Sequence, residues 1–215
     1  MNKLFAVISN LRDNCAAGLG EACLLSALNL IIMRANIIMY RPTQGQKMSK
    51  PFVAVLMGSD SDLPTMQATL DVLKTFEINF EAKVTSAHRT PVQTKEYVND
   101  AEARGCKIFI CAAGLAAHLA GAVAGMTVKP VIGVPIAGGP LNGQDSLLST
   151  VMMPGGVPVA TVAIGSAGAK NAAYLAGQIM ALTDDKIAQA VAKDREDNRD
   201  AVIAKDAALQ EKLKG

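Results

Sequence analysis

The sequence contains no tryptophan, and only five phenylalanines and three tyrosines stand among its 215 residues. So few aromatic rings provide no platform for stacking nucleic-acid bases. Charge of one sign is missing as well, because 21 lysines and arginines meet 19 aspartates and glutamates. That balance forms no basic stripe for a phosphate backbone, and no nucleic-acid partner is expected. Cysteine is sparse. Cys15, Cys23, Cys106 and Cys111 form no CxxC pair and no cysteine–histidine pattern of metal-ligand spacing. Neither a metal site nor a disulfide framework is expected, and a reducing compartment, the cytoplasm, is the natural reading. Cys111 lies in an apolar run, where a thiol behaves as a small hydrophobe.

A membrane-spanning run is also lacking. Residues 22–33 (ACLLSALNLIIM) are apolar but end at Arg34. Twelve residues make about 18 Å of helix, short of a hydrocarbon core roughly 30 Å thick. The run begins far from the start and has no clean basic segment before it, which argues against a secretory signal. No membrane partner is expected. Residues 1–47 decay into RPTQGQK, a linker composition, and then MSKP reads like a second start. They are expected to be a poorly ordered extension outside the working domain, with a targeting or interfacial helix as the alternative.

What is present is a strict alternation. Half of the residues are apolar, enough for a core. Short apolar runs at 52–57, 79–84, 107–112, 130–135 and 157–164 read as strands. Helix-spaced segments at 62–76, 90–104, 116–126, 145–152 and 167–182 separate and follow them. Pro64 and Pro91 suit first helical turns. This rhythm predicts an α/β fold: a doubly wound parallel sheet of five strands in flavodoxin-like order, in residues 48–183. Residues 184–215 alternate acids and bases around Ile187, Val191, Val202, Ile203 and Leu209. They are expected to form a charged C-terminal helix, solvated or packed on a neighbouring subunit.

In such sheets ligands bind beyond the carboxyl ends of the strands, so the chemistry should stand just after each one. After the first strand, GSDSD (58–62) offers a tight turn, hydroxyls and free amide groups suited to a phosphate or ribose. Ser and Asp are equally ordinary helix caps. After the second, SAHRTP (86–91) carries His88, one of two histidines in the chain. An imidazole takes and gives protons near neutrality, and the Arg89 fork beside it suits a phosphate or carboxylate. After the third, small residues around Gly114 permit close ligand approach. His118 should fall about one turn into the next helix. After the fourth, the glycine-rich 136–147 loop is a candidate lid, entering a helix capped near Asp145 or Ser146. After the fifth, GSAGAKN (165–171) suits tight packing rather than chemistry.

Taken together, GSDSD, SAHRTP, AAGLAAHL (112–119), LNGQDSLLS (141–149) and MPGGVPVATVAIG (153–165) with GAKNA (168–172) resemble the class I N5-carboxyaminoimidazole ribonucleotide mutases over about residues 52–182. The resemblance implies a flavodoxin-like three-layer fold in a homo-octamer. It implies an isomerase of de novo purine biosynthesis in the cytoplasm, with a small ribonucleotide as substrate. The carboxylate moves from N5 to carbon 4 of the imidazole by decarboxylation, CO2 retention and recarboxylation, without metal or organic cofactor. It implies His88 as general acid/base and Ser59, Asp62, Ser86, Arg89, Gly114 and His118 as substrate-binding residues, with Arg89 near the phosphate. Ala112 and Leu115 stand where that family usually has glycine, and Ala120 where it has proline. Residues 137–140 are less polar than the family loop. Leu115 is expected to narrow the pocket. The competing class is a noncatalytic flavodoxin-like module. A phospho-receiver would need an aspartate after the third strand, and a flavin carrier would need aromatic residues in the loops; neither is there.

Overall fold

Alternating burial along the strands builds the architecture. In the computed structural model, which describes residues 50–214, β1 (Phe52–Met57) is buried along its whole length. Its side chains point alternately to two faces, as a strand's must. Val53, Val55 and Met57 enter one apolar cluster, and Phe52, Ala54 and Leu56 enter another. β3 (Cys106–Gly114) divides in the same way, with Ile108 and Ile110 on the first side and Phe109 and Cys111 on the second. Each such fully buried aliphatic side chain is worth about 1.5–3 kcal/mol relative to exposure. Two apolar faces on one sheet demand helices on both.

Five strands pair in parallel in the order β2-β1-β3-β4-β5, with β2 (Asn79–Val84), β4 (Val131–Ile136) and β5 (Ala160–Thr161). The helices are α1 (Leu63–Thr75), α2 (Pro91–Arg104), α3 (Leu119–Ala124), α4 (Gln144–Val151), α5 (Ser166–Ala181) and α6 (Asp185–Lys214). α1, α5 and the start of α6 cover the first face through Met66, Leu73, Ala172, Ala176 and Ile187. α2 and α3 cover the second through Val98, Ala101, Leu119 and Val123. This is the flavodoxin-like arrangement that the alternation predicts. The order reverses between β1 and β3, which opens a crevice at their carboxyl ends.

Three elements differ from expectation. β5 has two residues, not eight, and pairs only Ile132 with Ala160 and Gly133 with Thr161. Pro158 supplies no N–H to a ladder. Beyond Thr161 the chain touches β4 through separate bonds from Val162 to Gly133 and from Gly165 to Pro135. α3 has six residues, because Leu115 adopts φ 55° and the His118 N–H turns back to Ala116. His118 therefore stands before the helix rather than inside it. α4 is preceded by Gly143 as its cap, two residues earlier than expected.

The small residues after β5 do serve packing. A Cβ on Gly168 would sit 1.6 Å from the Ala163 carbonyl oxygen, so only glycine fits. α6 is docked by Ile187, by Val191 against the core, and by Tyr174, whose hydroxyl donates to Asp194 at 2.6 Å. From Arg195 to Lys214 every residue is exposed. The extension expected at residues 1–47 lies outside the described residues.

Candidate active site

Four strand exits converge on one cavity of about 740 Å³ at the carboxyl ends of β1 to β4. All seven residues singled out in the sequence line it: Ser59, Asp62, Ser86, His88, Arg89, Gly114 and His118. The sheet places them there because parallel strands end on one side, whatever their distance along the chain.

The first exit is a one-turn 3-10 helix, Asp60–Asp62. Ser59 caps it, accepting from the Ser61 N–H at 3.3 Å, while the Asp62 carboxylate accepts from the Ser59 N–H at 3.1 Å. This reciprocal box closes the turn. Asp62 is buried, and burial raises its carboxyl above the usual carboxylate range against the opposing pull of the Ser59 and Gly58 amides. Ser59 also accepts from the Ser61 hydroxyl at 2.8 Å, so both hydroxyls face the same side of the turn.

The second exit is held by threonines. Thr85 and Thr94 share a 2.7 Å hydroxyl contact, both buried. Thr90 accepts from the Ser86 N–H at 2.9 Å and donates to the Ser86 carbonyl at 3.1 Å. Arg89 is tied twice, its N–H donating to Ser86 Oγ at 3.2 Å and its guanidinium to the Gly58 carbonyl at 3.0 Å. The fork thus spans the first and second exits, and both it and His88 remain solvent-accessible.

The two histidines meet. His88 Nε2 lies 2.7 Å from His118 Nδ1, with the rings edge to face at 85°. One nitrogen must carry the hydrogen and the other accept it. Nothing in the sequence announces this contact across 30 positions. The third exit is clamped from α4, an arrangement that sequence reasoning misses. Ser149 Oγ accepts from the Ala117 N–H at 2.9 Å and reaches the Leu115 carbonyl at 3.4 Å. Ser146 donates to the end of β4 at Ile136, and Thr150 to Ala117. The available signal was a row of hydroxyls at positions 146, 149 and 150, three and four apart on one helix face. Gly114 lies close to β4: a Cβ there would come within 3.3 Å of the Ile136 carbonyl oxygen.

The sequence model of the AIR carboxylase family matches residues 52–201, the sheet, its helices and all four exits. The chain belongs to the AIR carboxylase family. Individual relatives extend the match. This AIR carboxylase family chain is 53% identical to the N5-carboxyaminoimidazole ribonucleotide mutase of Pyrococcus abyssi over 151 residues, 70% of this chain and 86% of the relative. It is 49% identical to the mutase of the same name from Bacillus subtilis over 154 residues, 72% of this chain and 95% of the relative. Among solved structures, PurE from Treponema denticola superposes with a TM-score of 0.68 at 33% identity, covering 74% of this chain and 99% of that one. Among the described residues no cluster of three or more candidate metal ligands occurs. No described helix is long and apolar enough to cross a membrane.

Proposed function

We propose that this AIR carboxylase family chain converts N5-carboxyaminoimidazole ribonucleotide to 4-carboxyaminoimidazole ribonucleotide, an isomerisation of purine biosynthesis. The observation that carries the reading is the meeting of His88, Arg89 and the Ser59–Asp62 turn in one cavity. A base, a phosphate fork and a hydroxyl-lined turn are the parts this reaction needs. The names of the relatives support the same substrate.

The atoms balance with no electrons entering or leaving. The carbamate C–N bond breaks, its electron pair stays on N5, and N5 takes a proton from the His88 imidazolium. Carbon dioxide is released inside the cavity. Carbon 4 then forms a C–C bond to it, becoming tetrahedral. Neutral His88 removes the carbon 4 hydrogen, and the ring regains aromaticity. One imidazole thus serves both transfers, and the chemistry calls for neither metal nor organic cofactor. Positioned acid–base transfer contributes about 10²–10⁴-fold. Confinement of CO2 against the ring adds the advantage of proximity.

In this reading Ser59, Ser61 and Asp62 take the ribose and phosphate end, and Arg89 and Ser86 bind from the second exit. Gly114 and His118 bound the imidazole and the carboxylate. The ligand must displace or share the His118 contact to reach His88 Nε2. Among the described residues no phenylalanine or tyrosine lines the cavity, so a flavin would find no ring to stack on. We place the working domain at residues 48–183, propose cytoplasmic location, and propose a homo-octamer in which the exposed half of α6 packs on a neighbouring subunit. Residues 1–47 are proposed to be an extension outside that domain. The deciding experiment incubates the protein with fresh N5-carboxyaminoimidazole ribonucleotide, without ATP or added bicarbonate. Appearance of the carbon-carboxylated isomer above the uncatalysed rate supports the assignment, and its absence rejects it.

A further inference from the structure

Leu115 is an anomaly at the cavity mouth. Its φ is 55°, in the left-handed region that a bulky side chain rarely enters. It is also 55% exposed, so burial in the core does not account for the strain. The strained position is held from outside. Ser149 of α4 contacts the Leu115 carbonyl and accepts from the Ala117 N–H, fixing the loop on both sides of Ala116. The side chain reaches across to the fourth exit. A Cβ placed on Gly139, itself at φ 64°, would lie 2.7 Å from Leu115 Cδ2. Leucine at 115 and no side chain at 139 therefore fit one another. Together they join the third and fourth exit loops at the rim of the cavity that holds His88 and His118. Strain of this kind persists where the surroundings over-determine it, and it clusters at functional sites.

The apolar bridge faces a particular need. If the site runs the isomerisation proposed above, on which this inference rests, it must keep a small, apolar, linear molecule from leaving before carbon 4 captures it. It must also keep out the water that would carry that molecule away as bicarbonate. Histidine, arginine and serine attract water, whereas Leu115, with Ile136 and Ala137 behind the fourth exit, does not. We infer that Leu115, seated over Gly139, is the retaining wall that holds released CO2 in the cavity between its two bonds. Its role is to set the partition of CO2 between capture and escape, not to move a proton.

The test reads that partition directly. Unlabelled N5-carboxyaminoimidazole ribonucleotide is converted in 13C-bicarbonate buffer with carbonic anhydrase present. Label in the product carboxylate is measured together with free aminoimidazole ribonucleotide. The parent protein should give little label. Leu115→Gly, which relieves the backbone strain and so keeps the melting temperature, should raise the labelled fraction at least threefold. Gly139→Ala, which pushes the leucine away, should do the same, and Leu115→Met should restore retention. In Leu115→Gly/Gly139→Ala, the added methyl meets no leucine, so leakage should match Leu115→Gly alone. A labelled fraction equal to the parent's in both single variants overturns the inference, including in whatever residual product a slowed variant makes. Failure of the parent to convert the substrate would instead overturn the proposed function, so the two failures are distinguishable.

Discussion

At the residue scale, His88 carries the heaviest burden in the proposed mechanism, which routes both proton transfers through its imidazole. His88→Asn should lower turnover at least about a hundredfold while leaving nucleotide binding largely intact. Steady-state rates beside calorimetric titration with the product ribotide check this, and near-normal turnover would remove His88 from its role. Arg89 differs in kind. Its guanidinium donates to the Gly58 carbonyl and remains exposed at the cavity. Arg89→Ala should weaken binding by about 1.5–3 kcal/mol, the worth of a charge-assisted hydrogen bond. That appears as a raised KM, and an unchanged KM counts against a phosphate contact. These two residues are legible in the sequence because a strand exit, a lone histidine and a neighbouring arginine are local features. The partner of His88 is not legible. His118 reads as a helix residue until a short left-handed stretch at Leu115 holds it outside α3 and against the other ring.

At the scale of elements, the second exit depends on α2 for its shape. Thr94, on the first turns of α2, is fully buried and bonds Thr85 at the end of β2. Thr94→Val keeps the volume but leaves the Thr85 hydroxyl without this partner. The expected loss is about 1–3 kcal/mol of stability, read from urea unfolding, with a raised KM as the 86–91 loop loosens. Loss of stability with no change in KM would show that the threonine pair does not position the loop. On the far side of α2, Arg104 binds Glu81 through two nitrogens and also pairs with Asp100, and Tyr97 donates to Glu81. The Arg104 hydrogen bond is the main reason the Glu81 carboxyl is held below its ordinary value of 4.5. The sign follows: a depressed carboxylate stabilises the fold above its unfolded pKa, and that stability is lost as pH falls toward the folded value. Melting temperature should therefore decline more steeply below about pH 4.5 in the parent than in Glu81→Gln. Parallel profiles would deny the pair any part in acid stability.

At the scale of the molecule, α6 raises the question of assembly. A helix of 30 residues extends about 45 Å, and its exposed half carries Val202, Leu209 and Leu213 near the line on which the half-buried Val191 packs against the core. If the proposed octamer assembles through this face, Leu209→Asp should lower the mass seen by light scattering below that of the parent while barely moving the unfolding transition of the domain. An unchanged mass would place the subunit contact elsewhere.

By itself, the sequence determined the kind and order of the five strands and six α-helices and singled out seven of the residues that line the cavity. Periodicity reports which face of a segment is buried, and turn residues report where it stops. Both are encoded within a few neighbouring positions. The bounds failed at β5, where Pro158 inside the run supplies no ladder N–H, and at α3, where long-range contact with α4 holds the preceding loop. Only the tertiary structure decided which of those residues touch. The ring contact between His88 and His118, the grip of Ser149 on the third exit and the seating of Leu115 over Gly139 each join segments from different crossovers. Their distances depend on how helices and strands pack, and no local pattern carries that information.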